Sequence, residues 1–355
     1  MKIDDLQRIV RDGMTEFLPK DRIAIKEKEG LLLFNYTPAA HFAGEWSDLE
    51  IMCRGLILNK HTGEIVARPF DKFFNWMEGG RRGSGRIVTV TEKTDGSMGV
   101  LFRYPSGRLA IATRGSFDSD QARWATQYLH QHCRLEEIPD NLTFIFEIIY
   151  PENRIVVDYG DREALVLLAV RDRFTGEYEP FFPNVIEWAD LCNFELPKSY
   201  SFDKVIQILE YTSGLGENHE GVVVEMSDGT RWKFKGDRYL ELHRLICGLS
   251  YRKVMEAVMN ETDQALIDAL PDYYQRIAKE WRGAFKQALS RRYWQVFDTY
   301  LEAPKVSSRK EFALWAKTEH SDIAPYLFGI LDDKQVVDMI YHRELKHMEA
   351  PENGQ

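Results

Sequence analysis

Short apolar runs broken by turn residues fill the first two thirds of the chain, and long amphipathic periodicity fills the last third. Leu31–Tyr36, Gly55–Asn59, Ile65–Ala67 and Ile87–Thr91 are apolar or β-branched stretches of strand length. Gly99–Tyr104 and Arg108–Arg114 flank Pro105-Ser106-Gly107 as the arms of a hairpin. Leu142–Tyr150, Ala164–Arg171 and Gly221–Met226 read as further strands, and Ser227-Asp228-Gly229 turns the last of them into Thr230–Lys235. Alternation there sets Trp232 and Phe234 on one face and Arg231, Lys233 and Lys235 on the other, a row of cations on an apolar floor. After about Leu245 the period changes. Ile277, Trp281, Phe285, Leu289, Tyr293, Phe297 and Tyr300 recur every three to four residues and predict one long helix from about Pro271 to Ala303. Its aromatic stripe is read as a core face, not as a base-stacking platform. Ser308-Arg309-Lys310-Glu311 is patterned as a capping box opening a helix through Thr318. Lys334–His347 reads as a last helix and Ala350–Gln355 as a frayed tail. The expected architecture is α+β: a mixed domain over residues 1–245, then an all-helical domain over 246–355.

Composition narrows the functional classes. With 44% apolar and 12% aromatic residues the chain can bury a sizeable core. No stretch approaches the roughly eighteen uninterrupted apolar residues of a membrane helix. Met1-Lys2-Ile3-Asp4-Asp5 turns acidic at once, unlike a secretory leader. A cytoplasmic protein is expected. Cys53, Cys133, Cys192 and Cys247 are scattered without C-x-x-C spacing, which speaks for reduced thiols and against a structural zinc site or a disulfide framework. The net charge is −10; from Ile246 onward 15 basic residues face 17 acidic ones, −2, leaving −8 for the preceding part. Neither part is a basic clamp for duplex DNA, although a protein gripping a few phosphates can be acidic overall. The histidines show no H-E-x-x-H pattern, and no phosphate-binding G-x-x-x-x-G-K-[ST] loop occurs.

Chemistry concentrates around Glu92-Lys93-Thr94-Asp95-Gly96-Ser97, just after a strand. A lysine attacks phosphorus only as the neutral amine, so Lys93 is expected to have its pKa lowered by burial or neighbouring cations. Gly96 would allow a tight turn, with Asp95 and Ser97 holding it by local hydrogen bonds. Alone, a K-x-D-G run arises by chance in roughly one chain of this length in ten. Its companions change those odds. Phe144-Ile145-Phe146-Glu147-Ile148 puts a carboxylate in an apolar strand, where it needs a partner such as a ribose hydroxyl. Glu220-Gly221-Val222-Val223-Val224 puts another at the mouth of a strand, suited to a magnesium ion. Lys233-Phe234-Lys235 adds two cations that can neutralise phosphate.

In this order the four segments resemble the nucleotidyltransferase motifs shared by covalent ligases and capping enzymes. Cys53-Arg54-Gly55-Leu56-Ile57-Leu58 and Arg68-Pro69-Phe70-Asp71-Lys72-Phe73-Phe74-Asn75 are similar to the upstream segments of ATP-dependent RNA ligases of the phage RNA ligase 1 type. The resemblance covers about residues 50–245. It implies a nucleotidyltransferase fold, ATP-grasp-like, with antiparallel sheets flanking an ATP pocket. It also implies ATP as co-substrate with Mg2+ or Mn2+, and covalent attachment of AMP to Lys93. AMP then passes to an RNA 5′-phosphate, and a 3′-hydroxyl displaces it. The same resemblance implies that Arg54, Lys72, Lys233 and Lys235 contact ATP phosphates and that Glu147 binds the ribose. Glu220 supports the metal, Asp95 belongs to the catalytic set, and Glu92, Gly96 and Tyr239 line the nucleotide site. RNA ends, single-stranded or at a tRNA break, are the implied partners, with a separate end-healing kinase/phosphatase.

Other segments stay open. Glu78–Arg86, with three arginines among glycines, could meet RNA or pyrophosphate, or be a solvated connector. Arg114-Gly115-Ser116 could contact a 5′-phosphate or form a plain turn. Asp158, Arg171 and Asp172 flank strands as ordinary ion pairs would. The alternatives are an RNA end adenylyltransferase or capping enzyme, a nick-sealing or DNA ligase, and a non-enzymatic RNA-binding protein with a degenerate ligase fold. The helical texture after Lys235 disfavours the OB-fold that DNA ligases and capping enzymes append. The intact nucleophile, carboxylates and lysines disfavour loss of catalysis.

Overall fold

The structure is a computed structural model in which residues 1–78, 83–305 and 308–350 are described. It divides into two compact units, Met1–Leu240 and Glu241–Gln355. The expected tail thus lies, from Pro351 on, outside the described residues.

Among the described residues, thirteen strands build three sheets in the first unit. In chain order they are β1 (Ile23–Lys28), β2 (Leu31–Tyr36), β3 (Arg54–Asn59), β4 (Ile65–Ala67), β5 (Phe74–Asn75), β6 (Ile87–Glu92) and β7 (Ser97–Arg103). Then come β8 (Leu109–Thr113), β9 (Leu142–Ile149), β10 (Ala164–Asp172), β11 (Ser199–Tyr200), β12 (Gly221–Met226) and β13 (Arg231–Lys235). The first sheet runs β1-β2-β3-β4, the second β10-β9-β7-β8 and the third β11-β6-β12-β13-β5. Among the described residues the named strands all pair antiparallel except β13 with β5, which is parallel.

Period-two alternation explains how the layers stack. In β2, Leu32 and Phe34 pack into a core closed by helix α1 (Ile3–Arg11) and its Leu6 and Val10. Leu31 and Leu33 pack oppositely, against Val100 and Phe102 of β7, which joins the first sheet to the second. The outer face of the second sheet is covered from Ala125 and Leu129, on the helix Asp120–His132, and from Ala189 and Cys192, on the helix Ile186–Cys192. Trp232 and Phe234 of β13 enter the core of the third sheet while Arg231, Lys233 and Lys235 stay half-buried on the other face, as the alternation predicts.

The second unit is helical. Its long helix, Asp272–Leu301, buries Phe285 and Val296 in a core with Phe312, Leu327 and Ile340, and Trp281, Leu289, Tyr293 and Tyr300 pack around it. Most of the stripe is therefore core, while Phe297 stacks on Tyr293 beside exposed Trp294. A further helix, Arg309–Glu319, begins at Ser308, whose hydroxyl accepts from Glu311 N. The stretch expected as one last helix is Val336–Ile340 followed by a wider turn, Tyr341–Leu345, so it starts later and stops sooner. Among the described residues no helix is long and apolar enough to cross a membrane.

Candidate active site

Lys93-Thr94-Asp95-Gly96 is the stretch where the chain leaves one sheet and enters another. β6 ends at Glu92 in the third sheet and β7 starts at Ser97 in the second. Backbone N–H groups pin both ends: Lys93 N donates to Gly221 O at 2.9 Å, and Gly96 N donates to the side-chain Oε1 of Glu147 at 3.0 Å. Gly96 is required by close approach rather than by a tight turn. A Cβ there would stand 2.5 Å from Ile148 O and 2.7 Å from Ile149 Cδ1. The turn expected from glycine's backbone freedom is replaced by a crossing pressed onto β9.

Asp95 and Ser97 do not hold the crossing locally, contrary to the sequence reading. The Asp95 carboxylate, 3% exposed, accepts from Val156 N at 2.8 Å, Val157 N at 2.9 Å and the Tyr239 hydroxyl at 2.8 Å. Its own N–H donates to the Tyr159 hydroxyl at 2.9 Å. Ser97 donates to Asn153 Oδ1 at 2.9 Å, and Asn153 Nδ2 donates to Ile148 O at 2.7 Å. The segment Asn153–Tyr159 is thus a brace for the lysine-bearing loop. Burial, reinforced by the Glu220 charge, keeps the Asp95 pKa above its ordinary value even with three donors on the carboxylate.

Glu220 lies between two lysines. Lys93 Nζ donates to Glu220 Oε2 at 2.7 Å, and Lys235 Nζ lies 2.9 Å from Oε1. The carboxylate is 2% exposed and each lysine side chain 19%. Gly221, at φ +143°, makes the register possible: a Cβ there would fall 1.9 Å from Phe234 O. Gly236 N closes the other side onto Glu220 O at 3.0 Å.

The electrostatics reverse one expectation. Burial acts to lower the Lys93 pKa, but the charges of Glu220, Glu147 and Asp95 outweigh it, and Lys93 ends above its ordinary value. Burial likewise works against ionised Glu220, and Lys93 and Lys235 overcome it, leaving Glu220 below the usual carboxylate range. Lys93 is therefore held as an ammonium in an ion pair, not as the neutral amine. Lys233 carries the depressed pKa instead, through burial and the crowding of Arg54, Lys93, Lys72 and Lys235. Glu147 on β9 is pushed up to about 7 by burial, with Lys93 opposing and Glu220 and Asp95 adding to the rise.

Arg54 opens β3; its Nη1 donates to Met98 Sδ at 3.2 Å, and its guanidinium lies 5.6 Å from the Phe73 ring centre. Lys72 Nζ lies 4.2 Å from the Trp46 ring centre and 4.8 Å from that of Phe74. Lys233 Nζ lies 4.6 Å from Phe73, and Lys235 Nζ 5.1 Å from Tyr239. Tyr239 therefore meets both the Asp95 brace and a motif lysine. Glu92 is tied into the sheet through its backbone N–H on Lys198 O at 2.7 Å. Arg114 Nη1 donates to the Tyr36 hydroxyl at 2.9 Å.

The remaining candidates are structural. Arg171 pairs with Asp71 at 2.9 Å, Asp158 with Arg154 at 2.8 Å, and Asp172 accepts from Phe174 N and Thr175 N in a turn. Arg81 and Arg82 of the glycine-rich loop lie outside the described residues. The end of that loop is anchored, with Ser84 N and Oγ donating to Asp228 Oδ2 at 3.1 and 2.7 Å. Among the described residues no group of three or more His, Cys, Asp or Glu could hold a metal ion. The brace residues Asn153 and Tyr159 and the rings of Trp46 and Phe73 were missed by sequence reasoning. The one available signal was the apolar Ile155-Val156-Val157 beside Asn153, which reads as an ordinary short strand.

A family model described as RNA ligase matches residues 52–239, more than half of the chain and all of the residues just described from Arg54 to Tyr239. The chain belongs to the RNA ligase family. It is 27% identical over 266 residues to a putative bifunctional polynucleotide kinase/RNA ligase of Autographa californica nuclear polyhedrosis virus, covering 66% of this chain and 37% of that protein. It therefore spans just over a third of that relative's length. It is 25% identical over 337 residues to an RNA ligase of Rhodothermus phage RM378, covering 74% of this chain and 75% of the phage protein. An archaeal ATP-dependent RNA ligase structure shares the fold, with a TM-score of 0.52, 15% identity and 82% of each chain covered.

Proposed function

We propose that this RNA ligase family member joins RNA ends at the expense of ATP through a covalent AMP on Lys93. The observation that carries the reading is the buried pair of Lys93 and Glu220, backed by Lys235 at 2.9 Å and set beside Glu147. A primary amine buried at a sheet crossing with cations around it is arranged to attack phosphorus and not to dress a surface.

In this reading the proton on Lys93 is the gate. Glu220 keeps the amine protonated at rest. Once that carboxylate turns to another partner, burial and the neighbouring Lys235 and Lys233 charges favour the neutral form. With its ammonium proton passed to water, Lys93 Nζ bonds to the α-phosphorus of ATP and sheds a second proton to solvent as the bond to diphosphate breaks, and Arg54, Lys72, Lys233 and Lys235 neutralise the departing charge. AMP next passes to an RNA 5′-phosphate, and a 3′-hydroxyl displaces it to form the phosphodiester. Asp95, Tyr239 and the Asn153–Tyr159 brace keep the lysine loop in place throughout. Glu147, accepting from Gly96 N, is placed to meet the ribose.

The donor set fits a hard divalent cation, Mg2+ or Mn2+, of the kind that retains its waters and takes one carboxylate plus substrate phosphates. Glu220 would hold it, and its chemistry would be neutralisation of phosphate oxygens. A separate kinase/phosphatase would supply the 5′-phosphate and 3′-hydroxyl ends, work that a broken tRNA requires. The test is incubation with ATP labelled at the α-phosphorus, then with 5′-phosphorylated single-stranded RNA. Labelled protein, lost in Lys93→Ala, followed by circular or joined RNA, is expected. Equal labelling of Lys93→Ala would refute the assignment of the nucleophile.

A further inference from the structure

The first and second sheets share a core in which Leu31, Leu33 and Ile57 meet Val100 and Phe102. Along this seam β3 starts at Arg54 and β7 at Ser97, both at the active site, and they end at Asn59 and Arg103. Those far ends line a separate cavity of about 170 Å³. At the rise of an extended strand, Phe102 lies about 16 Å along β7 from Ser97. The cavity is not part of the site around Lys93. Its walls are apolar, formed by Leu31, Val66, Leu101, Leu109, Ile138 and Leu142. An apolar void of about 150 Å³ accepts a ring of benzene's size, so this one has room for a body of about six or seven heavy atoms.

The polar groups that line it are unevenly satisfied. Arg103 is engaged on every side, with Nε 2.7 Å from Asp140 Oδ1 and its two Nη groups donating to Gly107 O and Ile138 O at 3.0 and 3.4 Å. Asn59 Oδ1 already accepts from His61 N and Thr62 N, at 2.9 and 3.1 Å. Arg173 differs. Its backbone N–H donates to Asn141 O at 2.9 Å and its Nη1 to Ile65 O at 2.6 Å, while the Phe174 ring backs the guanidinium at 4.5 Å. These contacts fix the head group, yet its Nε is buried without a hydrogen-bond partner. Among the described residues no carboxylate pairs with it. A buried N–H of a permanent cation is costly to leave bare, and an anionic acceptor relieves both the missing bond and the missing counter-charge. One uncompensated charge calls for one negative charge, and the walls call for an apolar remainder.

We propose that the seam cavity is a second ligand site, for a small organic monoanion: a carboxylate on an apolar body of about benzoate's size. The carboxylate sits on Arg173, and the body fills the space between Leu31, Val66 and Leu101. The site is independent of the chemistry at Lys93 and stands whether or not that lysine is adenylated.

The test is calorimetric titration of the full chain with benzoate, benzyl alcohol and benzylamine, which keep one ring and carry a negative, no and a positive charge. Benzoate is expected to bind with a Kd on the order of 0.1–1 mM. It should bind about 10- to 100-fold more tightly than benzyl alcohol, the worth of a charge-assisted hydrogen bond, and benzylamine should not bind. Arg173→Met should erase the advantage of benzoate over benzyl alcohol, and Val66→Trp, which fills the cavity and leaves Arg173 in place, should abolish binding of both. The charge series on the unmodified chain decides the matter even if a variant fails to melt cooperatively. No saturable benzoate binding, equal affinity for benzoate and benzyl alcohol, or benzoate binding unchanged in folded Arg173→Met or Val66→Trp overturns the proposal. Displacement of benzoate by ATP also overturns it, by placing the ligand in the nucleotide site. A chain that binds benzoate but takes no label from ATP overturns the ligase reading and leaves the seam site standing.

Discussion

Replacing Glu220 with glutamine is the sharpest probe of the resting state. The side chain keeps its shape and loses the charge lying 2.7 Å from Lys93 Nζ and 2.9 Å from Lys235 Nζ. Removing one member of a buried ion pair costs about 3–5 kcal/mol, because the partner charge stays behind. The lysines are 19% exposed and can turn partly to water, which brings the expected loss to about 2–4 kcal/mol. For a unit of this size that corresponds to a fall in Tm of roughly 4–16 °C. The pH dependence follows from the signs. The Glu220 pKa is lowered from 4.5 by folding, so its contribution is present above 4.5 and lost as pH falls through the depressed value. The Lys93 pKa is raised from 10.5, so its contribution is present below 10.5 and lost as pH rises through the elevated one. The difference between wild type and Glu220→Gln should therefore form a plateau between about pH 5 and 10 and collapse in acid. Urea unfolding of both proteins across that range measures it. An equal difference at pH 7 and at pH 3, or no difference at pH 7, would show that the ion pair does not organise the site.

Glu147 gives the opposite slope: its pKa rises from 4.5 to about 7 on folding, so the native state binds the extra proton and stability falls as pH climbs between those values. Glu147→Gln should remove that slope and stabilise the protein by about 1–3 kcal/mol at pH 8 relative to pH 4.5, read by the same urea titrations; a slope unchanged by the substitution would refute the assignment. Tyr239→Phe strips a donor from buried Asp95 Oδ1 and should cost about 1–3 kcal/mol while slowing lysine labelling; loss of stability without slower labelling would make Tyr239 structural only. Gly221→Ala, whose Cβ would lie 1.9 Å from Phe234 O, should cost roughly 3 kcal/mol or more, and a thermal melt matching wild type would contradict the register of β12 and β13.

Much of the first unit is legible from alternation. Leu31–Tyr36, Ile65–Ala67 and Gly221–Met226 are strands with the ends that the pattern sets, because turn residues bound each apolar run. The short β1 (Ile23–Lys28) is not legible, since Lys26, Glu27 and Lys28 hide its apolar half. At the site, residue types announce Lys93, Glu220 and Lys235, but their mutual contact depends on which strands pair, and spacing does not encode that. The sign of the Lys93 shift is hidden for the same reason. Neighbouring cations were visible along the chain, whereas a carboxylate 127 positions away decides the balance. The brace is hidden more deeply, because its donors to Asp95 are the backbone N–H groups of Val156 and Val157, which any residue but proline could supply.

The pairing of β6 with β12 bears on biosynthesis. Lys93 is made long before Glu220, and the bond from Lys93 N to Gly221 O forms only after the ribosome has produced everything between them. A chain interrupted ahead of β12 lacks both the counter-ion of Lys93 and the strand with which β6 pairs. The pocket is therefore completed only when β12 and β13 have been made and paired, which brings Glu220 and Lys235 to Lys93 together.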